Sequence, residues 1–312
     1  SLGSAEPLTF DNGYGGFTAD GREYVMRLSS TGERLMLPPV PWVNILANPD
    51  FGCLVSETGA GSVWSVNSRE RRITPWTNDP VLDPHDEAIY LQDNATGAVW
   101  SPQPGPALSG GDYETRHGFG YTRFVHACAH LQQITTVFVH RTLPVRVSRL
   151  QLSNTSDQPR KITVVSYQRL VLGFVPAQSA AFVSVNVNAE RRSLRAANTM
   201  AGEFANQMAF ANCVANAEIA WQACTDRQLF LGSTGQIAWP AGLQNDAVFA
   251  QPATQGQDPC FAQRITLEIP PQTAVAVSFL LGDAANEQQM QACFAALDSD
   301  EKVLAALAEV QN

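Results

Sequence analysis

Most of the chain alternates apolar and polar side chains with a period of two, which is the pattern of half-buried β-strands. Residues 181–187 place three valines on one side, and residues 264–269 place two isoleucines and a leucine on one side. The alternation resumes over 275–281 after the breaker 270–272, which holds two prolines. Proline cannot donate to a sheet ladder, so this stretch predicts two strands joined by a turn.

The middle of the chain adds further strands to the same pattern. Residues 145–152 are predicted to be a strand whose apolar phase changes between Val147 and Leu150, and this change predicts a β-bulge. A turn at 154–159 leads to another strand at 161–167. Strands recur at short spacing without a βαβ rhythm, so the fold class is mainly β, a large antiparallel sandwich.

The C-terminus changes to a helical period from Ala284 onward. An apolar stripe at i, i+4 and i+7 predicts a first helix: Met290, Phe294 and Leu297. Asp298 and Glu301 predict a capping box for a second helix, whose stripe is Val303, Leu304, Leu307 and Val310. The two helices either pack back on the sandwich or lead towards a further domain.

Composition narrows the class of protein. The 312 residues are 45% hydrophobic and 16% charged, enough to build a large core, and the net charge is −9. The one basic cluster, Arg69, Arg71 and Arg72, is interrupted by Glu70 and is interpreted as a solvated strand face. Without a clustered basic surface, nucleic acid is not expected as a partner. No apolar run is long enough to cross a bilayer.

The six cysteines are scattered without a C-x-x-C motif, which predicts reduced core thiols and a cytoplasmic location for this piece. His126, Cys128 and His130 alternate, so a strand would place them on one face, where they could hold a soft metal. A fourth ligand is not evident, and a polar strand surface is the favoured interpretation. Neither a metal nor a cofactor is therefore expected.

Catalytic motifs such as G-x-S-x-G and H-E-x-x-H do not occur. Carboxylates are frequent over 79–93, but cleaving a glycosidic bond requires two that flank it, so solvated turn residues are the favoured interpretation. Four tryptophans, at 42, 64, 76 and 100, stand among Asn and Asp residues. Aromatic faces and amide or carboxylate groups suit a sugar site, although core plugs are the alternative.

Several ordered strings resemble the N-terminal sandwich of glycoside hydrolase family 94, the cellobiose and cellodextrin phosphorylase group. They are Pro41-Trp42-Val43-Asn44, Asn67-Ser68-Arg69-Glu70, Thr74-Pro75-Trp76-Thr77-Asn78-Asp79-Pro80-Val81, Trp100-Ser101-Pro102 and Arg116-His117-Gly118. Within that family, residues 225–227, 230–232 and 258–260 are most similar to the phosphorylase-like region of cyclic β-1,2-glucan synthases.

The resemblance implies a galactose-mutarotase-like super-β-sandwich over 1–283. Two linker helices at 284–312 would then lead to an (α/α)₆ barrel outside this chain. In the family that barrel holds the general acid and the phosphate-binding residues, so none of the residues here is expected to be catalytic. The parent would cleave or transfer β-1,2-glucosyl linkages, with inorganic phosphate left open as a substrate.

The same resemblance suggests partners. They are a β-glucan or gluco-oligosaccharide and the chain's own barrel, while a homodimer is left open. The synthases also carry membrane-embedded regions, so the parent is expected in the inner membrane with this region in the cytoplasm.

The candidate sugar-binding residues are Trp42, Trp76, Asn78, Asp79, Asp93, Trp100, Arg116 and His117. Two alternatives remain: a stand-alone glycan-binding module, and a mutarotase-like enzyme using His117 with Asp79 or Asp93 as acid and base. A further hypothesis treats residues 116–118 and 78–80 as structural corners, because they contain Gly and Pro. The loop 174–182, which reaches towards the acceptor sugar in the phosphorylases, has no charged residue here. Direct acceptor contact from it is therefore in doubt.

Overall fold

The computed structural model describes residues 6–31, 34–250 and 258–312. Its strands are β1 Gly15–Phe17, β2 Glu23–Leu28, β3 Ser30–Thr31, β4 Arg34–Leu35, β5 Val43–Ala47, β6 Phe51–Ser56, β7 Gly61–Ser65, β8 Glu87–Asp93, β9 Val99–Trp100, β10 Tyr113–Gly118, β11 Tyr121–Cys128, β12 Leu131–Val139, β13 Val145–Asn154, β14 Arg160–Arg169, β15 Val183–Asn188, β16 Ser193–Asn198, β17 Met208–Ala215, β18 Ala220–Asp226, β19 Pro259–Ile269 and β20 Ala274–Ala284. The α-helices are α1 Pro176–Ser179, α2 Arg227–Leu231, α3 Glu287–Ala296 and α4 Asp300–Gln311.

Two large antiparallel sheets form the sandwich. The ten-stranded sheet has the order β1-β2-β10-β11-β12-β13-β20-β17-β16-β15, and the five-stranded sheet has the order β18-β19-β14-β8-β9. Leu150 and Val277 of the larger sheet pack with Val164 and Ile265 of the smaller sheet in one core cluster. The expected antiparallel super-β-sandwich is therefore confirmed.

The predicted turns carry the chain from one sheet to the other. The turn at 154–159 joins β13 of the larger sheet to β14 of the smaller one, and the proline turn at 270–272 joins β19 to β20 in the opposite direction. Both strand pairs were predicted from the sequence. Their assignment to different sheets depends on long-range pairing, which the local period does not contain.

The bulge expected between Val147 and Leu150 is absent, because β13 pairs without interruption with both β12 and β20. Val145 and Val147 lie in the core cluster beneath the C-terminal helices, whereas Leu150 and Leu152 face the sandwich interior. The strand therefore buries apolar residues on both faces in succession. This exchange of the buried face, and not an extra residue, causes the change of apolar phase.

The C-terminal helices pack back on the outer face of the larger sheet. Met290 and Cys293 of α3, together with Val303 and Leu307 of α4, share a core cluster with Phe138 of β12. The predicted capping box is wrong: Ser299 caps α4 and accepts a hydrogen bond from the Lys302 N–H at 3.3 Å. None of the helices in the described ranges is long and apolar enough to span a membrane.

A buried ion pair connects the segment 66–72 to strand β20. Arg71, which the sequence placed on a solvated face, is completely buried and binds Asp283 of β20 at 2.7 Å. Residues 66–72 form turns and not a strand, which explains why the alternation predicted the wrong environment. All six cysteines are free thiols, five of them buried, as their spacing predicted.

A separate three-stranded sheet, β5-β6-β7, lies beside the larger sheet. Leu46, Phe51 and Val63 belong to the main core, so one face of this small sheet is buried. Val43 and Ile45 on the other face are exposed. The loops that leave this sheet, around residues 37–42 and 74–86, form the walls of two neighbouring clefts.

Candidate functional site

The first cleft, called the Trp76 cleft, is lined by the residues Val40, Pro41, Val43, Leu54, Ala60, Gly61, Pro75, Trp76, Thr77, Asn78, Asp79, Pro80, Asp83, Pro84 and Asp86. Its volume is about 370 Å³, within the size range of small-ligand sites. Trp76 is 44% exposed, and the guanidinium of Arg72 lies 5.7 Å from its ring centroid. The cleft therefore combines an exposed aromatic ring with amide and carboxylate groups, which is the chemistry of sugar recognition.

Asp79 organises the loop that borders this cleft. Its carboxylate accepts the backbone N–H groups of Val81 at 2.9 Å and Leu82 at 3.0 Å, and these bonds lower the pKa of Asp79. The preceding residue, Asn78, has a φ of 51°, the left-handed conformation that asparagine tolerates. Residues 78–80 therefore make a tight corner, although whether they also contact a sugar stays a prediction.

Arg69 and Arg72 place positive charge beside the loop that follows β14. The guanidinium carbons of both lie 5.0 Å from the centroid of Phe174, an exposed residue at the start of that loop. The loop itself has no charged side chain, as the sequence shows, but two arginines from residues 66–72 supply the charge. Sequence order alone could not bring these segments together.

The second cleft, called the proline-walled cleft, adjoins the first and shares Val40, Pro41, Pro80 and Asp83 with it. Its volume is about 440 Å³, and Glu57, Thr58, Asp83 and His85 supply its acidic and polar lining. Asp83 accepts hydrogen bonds from Ser56 Oγ at 2.7 Å and Thr58 Oγ1 at 2.6 Å. Burial lowers the pKa of His85, which favours a neutral ring.

Trp42 and His117 meet beside the proline-walled cleft. The Nε2–H of His117 donates to the Trp42 carbonyl at 3.0 Å, and the Glu57 carboxylate accepts the Trp42 N–H at 2.8 Å. Burial raises the pKa of Glu57 to about 7, and the charge of Asp83 adds to the rise. Burial also lowers the pKa of His117. The Trp42 peptide is thus held between two ionisable groups.

The Trp42 ring belongs to an aromatic cluster. Tyr14 and Tyr24 meet it edge to face, with centroid distances of 6.0 and 5.6 Å. The ring is half-buried in this cluster, so its contribution to sugar binding stays a prediction.

Arg116 faces a different, polar cleft of about 670 Å³, which Phe119, Gln311 and Asn312 also line. It forms ion pairs with Glu6, Glu23 and Glu114 at 2.7–2.8 Å, which raise its pKa above the ordinary value. The three carboxylates surround this guanidinium, so it is held rigidly in place. The structure therefore separates Arg116 from both clefts described above, whereas the next residue, His117, lies beside the proline-walled cleft.

Asp93 and Trp100 have internal partners. Asp93 accepts the Ala95 N–H at 2.8 Å and pairs with Arg160, while the buried indole N–H of Trp100 donates to Gln133 at 2.9 Å. Neither residue lines the two clefts described above. Among the hydrogen bonds and ion pairs of the described residues, none joins His117 to Asp79 or Asp93.

The histidines considered as metal ligands are also engaged. His126 Nδ1–H donates to the Asp112 carbonyl at 2.9 Å, its Nε2 accepts from Ser109 Oγ at 2.6 Å, and its ring stacks on Tyr113. His130 lies beyond the end of β11, so it does not continue the alternation. In the described ranges, no group of three or more ligating side chains could hold a metal ion.

Glu57 and His85 are the site residues that sequence reasoning missed. Glu57 lies in the turn that follows β6, but its environment depends on residues distant in sequence, namely the Trp42 N–H and the charge of Asp83. A glutamate within Ser56-Glu57-Thr58-Gly59 has no local signal of burial, since that string resembles an ordinary turn.

Comparison with known proteins gives the chain its family. The description "Glycosyl hydrolase 94, supersandwich domain" matches residues 22–300. The cyclic beta-(1,2)-glucan synthase NdvB of Rhizobium meliloti (strain 1021) is 37% identical over 296 residues, which are 94% of this chain and 10% of that protein. N,N'-diacetylchitobiose phosphorylase of Vibrio furnissii is 31% identical over 157 residues, 49% of this chain and 19% of that protein.

Solved structures include a bacterial glucoamylase complexed with acarbose, with a TM-score of 0.45 and 8% identity, which covers 92% of this chain and 40% of that one. The chain spans about a tenth of the length of NdvB and about a fifth of the Vibrio phosphorylase. The family match extends from β2 into the first residue of α4, so it includes nearly the whole sandwich and both clefts. The chain therefore belongs to glycosyl hydrolase family 94, of which it carries the supersandwich domain.

Proposed function

We propose that this chain is an accessory, non-catalytic domain of a longer enzyme that cleaves or transfers β-1,2-glucosyl linkages. The 37% identity with NdvB over 94% of the chain carries this proposal. The carboxylates predicted as candidates support it, because Asp93 pairs with Arg160 and Asp79 caps its own loop. Neither is free to act as the acid or base of a glycosidic cleavage.

The domain would support the chemistry by binding a catalytic barrel and by presenting the Trp76 cleft to the glucan. An exposed indole can stack on the C–H face of a glucosyl unit, while Asn78 and Asp79 lie within the same cleft to meet hydroxyl groups. Phosphorolysis in the longer enzyme, its membrane location and its dimerisation remain proposals of the same kind.

A stand-alone glycan-binding module is the second candidate, and the exposure of Trp76 favours it. The two candidates differ in one measurable property. A module binds β-1,2-glucan oligomers by itself, whereas an accessory domain needs the barrel to complete the site.

The test is calorimetric titration of the 312-residue chain with β-1,2-glucan oligomers and with cellobiose in phosphate buffer, together with an assay for glucose 1-phosphate. We expect no product and no micromolar binding. Micromolar binding that Trp76→Ala abolishes, and that Trp239→Ala preserves, would favour the module, because Trp239 is similarly exposed at 47%. Product from the chain alone would contradict both candidates.

A further inference from the structure

The proline-walled cleft has aliphatic walls that are exposed to solvent. Leucine, valine and proline side chains form most of its lining, among them Leu37, Pro39, Val81 and Leu82. Val81 is 86% exposed and Leu82 75% exposed. A cluster of exposed apolar side chains around a cleft typically marks an interaction site.

The chemistry of the walls favours a protein partner over a sugar. The described lining contains no Trp, Tyr or Phe, so the cleft lacks the aromatic face on which a sugar ring would stack. Leucine, valine and proline side chains instead pack well against aliphatic side chains, and the fixed φ angles of the prolines reduce the conformational entropy that the walls lose when a partner binds. The neighbouring Trp76 cleft differs in this respect.

Beneath these walls lie two carboxylates that form no ion pair with an arginine or a lysine, while the His85 ring lies in the same lining beside Asp83. Glu57 is 2% exposed, and its carboxylate accepts the Trp42 N–H, while Asp83 accepts two hydroxyl groups. Every Arg and Lys of the chain falls within the described residues, and none forms an ion pair with Glu57 or Asp83. Arg34, which lines the cleft, is itself exposed.

Most of the other buried or half-buried carboxylates do form an ion pair with an arginine. Their arginine partners are Arg71 for Asp283, Arg146 for Glu87, Arg160 for Asp93, Arg149 for Asp300, Arg116 for Glu23 and Arg169 for Asp86 and Asp258. Asp226 is the exception among them, and two backbone N–H groups of α2 satisfy its carboxylate. A buried carboxylate without a cation is costly, and burial has already shifted Glu57 towards its neutral form.

We infer that the proline-walled cleft is a docking surface for a protein segment that inserts one arginine or lysine between aliphatic side chains. The cation would meet Glu57 and Asp83, and the aliphatic flanks would cover Val81 and Leu82. Charge complementarity selects this occupant, because an entirely apolar segment would bury the two carboxylates unpaired. Docking would also convert Glu57 to its ionised form, with release of a proton to solvent.

The test uses the 312-residue chain and two synthetic peptides, Leu-Ser-Val-Arg-Val-Ser-Leu and the same peptide with citrulline in place of arginine. Citrulline keeps the shape of arginine without its charge. Calorimetric titration at pH 8 should show the arginine peptide binding at least about tenfold more tightly, since a charge-assisted pair contributes on the order of 1.5–3 kcal/mol. At pH 6.5, titration in two buffers of different ionisation heat should show proton release on binding.

Matched variants make the result decisive. Glu57→Gln should reduce the preference for arginine, because Asp83 alone then meets the cation, whereas Glu268→Gln, at an exposed position of β19, should preserve it in full. Leu82→Ser should weaken both peptides, because the exposed Leu82 supplies apolar contact and not charge.

Three binding results would overturn the inference. They are equal binding of the two peptides, an undiminished preference in Glu57→Gln, and no saturable binding of the arginine peptide at millimolar concentration. A dimer of this chain that Glu57→Gln dissociates would assign the cleft to a second copy and would overturn the proposal of a separate partner. None of these measurements involves a sugar, so their outcome does not decide the proposed function, which is tested with glucan oligomers.

Discussion

The ionisation of Glu57 makes the free energy of unfolding of this domain depend on pH. The side chain is almost completely buried, its carboxylate accepts the Trp42 N–H at 2.8 Å, and the charge of Asp83 opposes its ionisation. These effects raise the pKa of Glu57 from 4.5 to about 7. The folded state therefore holds a proton that the unfolded state releases above pH 4.5.

This shift predicts a growing advantage for Glu57→Gln as the pH rises. Between pH 4.5 and 7 the folded wild type binds more protons than the unfolded chain, so its free energy of unfolding falls with pH. Glutamine can still accept the Trp42 N–H but never ionises. Since each pKa unit corresponds to about 1.4 kcal/mol, we expect the variant to gain more than about 1 kcal/mol on the wild type between pH 5 and 8.

Urea denaturation at both pH values measures the difference between the two proteins. Glu268→Gln, at an exposed position of β19, serves as the control. A constant difference between Glu57→Gln and wild type across this range would mean that Glu57 ionises normally.

The buried pair Arg71–Asp283 gives a second prediction at this scale. Removing one partner of a buried ion pair leaves the other charge unpaired, so Arg71→Ala should lower the free energy of unfolding by about 3–5 kcal/mol. Arg69→Ala, two positions away and exposed, should cost less than about 1 kcal/mol. Thermal denaturation compares the two, and similar losses would contradict the structure.

The segment from Arg69 to Arg72 also shows that a short stretch of sequence does not determine which of its side chains are buried. Arg69 is exposed, Arg71 is buried and Arg72 contacts both Trp76 and Phe174. The partner of Arg71 is 212 residues away in sequence. Charge alternation within four residues indicated a solvated face, and no local pattern identifies the long-range partner that reverses this interpretation.

At the scale of elements, the local hydrophobic period predicted which segments form strands better than it predicted which of their side chains are buried. The strands at 145–154, 160–169, 259–269 and 274–284 were predicted over shorter ranges, as 145–152, 161–167, 264–269 and 275–281. The bulge in β13 was wrong because helices cover part of its outer face, so buried residues appear on both sides of the strand. A sequence period cannot distinguish an inserted residue from a second covered face.

The start of α4 offers a third prediction. Two overlapping caps are available in the sequence, Asp298 three residues before Glu301 and Ser299 three residues before Lys302, and the structure uses Ser299. Ser299→Ala should therefore cost about 1 kcal/mol. Asp298→Ala loses only an exposed ion pair with Lys302 and should cost no more than about 0.5 kcal/mol.

Chemical denaturation of the two variants resolves these values. A larger loss in Asp298→Ala than in Ser299→Ala would favour the capping box that the sequence alone suggested.

For the whole molecule, the family strings indicated the sandwich correctly but left the candidate site residues scattered. Trp76, Asn78 and Asp79 share a cleft because they lie close together in one loop. Trp42 and His117 meet through a hydrogen bond between distant segments, and Arg116, Asp93 and Trp100 lie elsewhere. A motif places residues in order along a chain, whereas convergence depends on the sheet order β2-β10-β11, which the motif does not specify.

The division of the chain at residue 283, with linker helices over 284–312, stays a prediction from sequence, while the structure packs both helices against the larger sheet. Met290, Val303 and Leu307 cover Phe138, Val147 and Phe210 on the larger sheet. A chain that ends at residue 284 would expose these side chains to water. We therefore expect it to unfold at a lower temperature or to aggregate.

Point variants distinguish the loss of the apolar contacts between α4 and the larger sheet from the effect of shortening the chain. Leu307→Ser places a hydroxyl group in the buried contact and should lower the free energy of unfolding by about 2–4 kcal/mol, whereas Leu304→Ser, at an exposed position of α4, should change it by less than about 0.5 kcal/mol. Thermal denaturation of the shortened chain and both variants completes the comparison. Unchanged cooperative unfolding of the shortened chain would show that the sandwich is complete at residue 284 and that α3 and α4 contribute little to its stability.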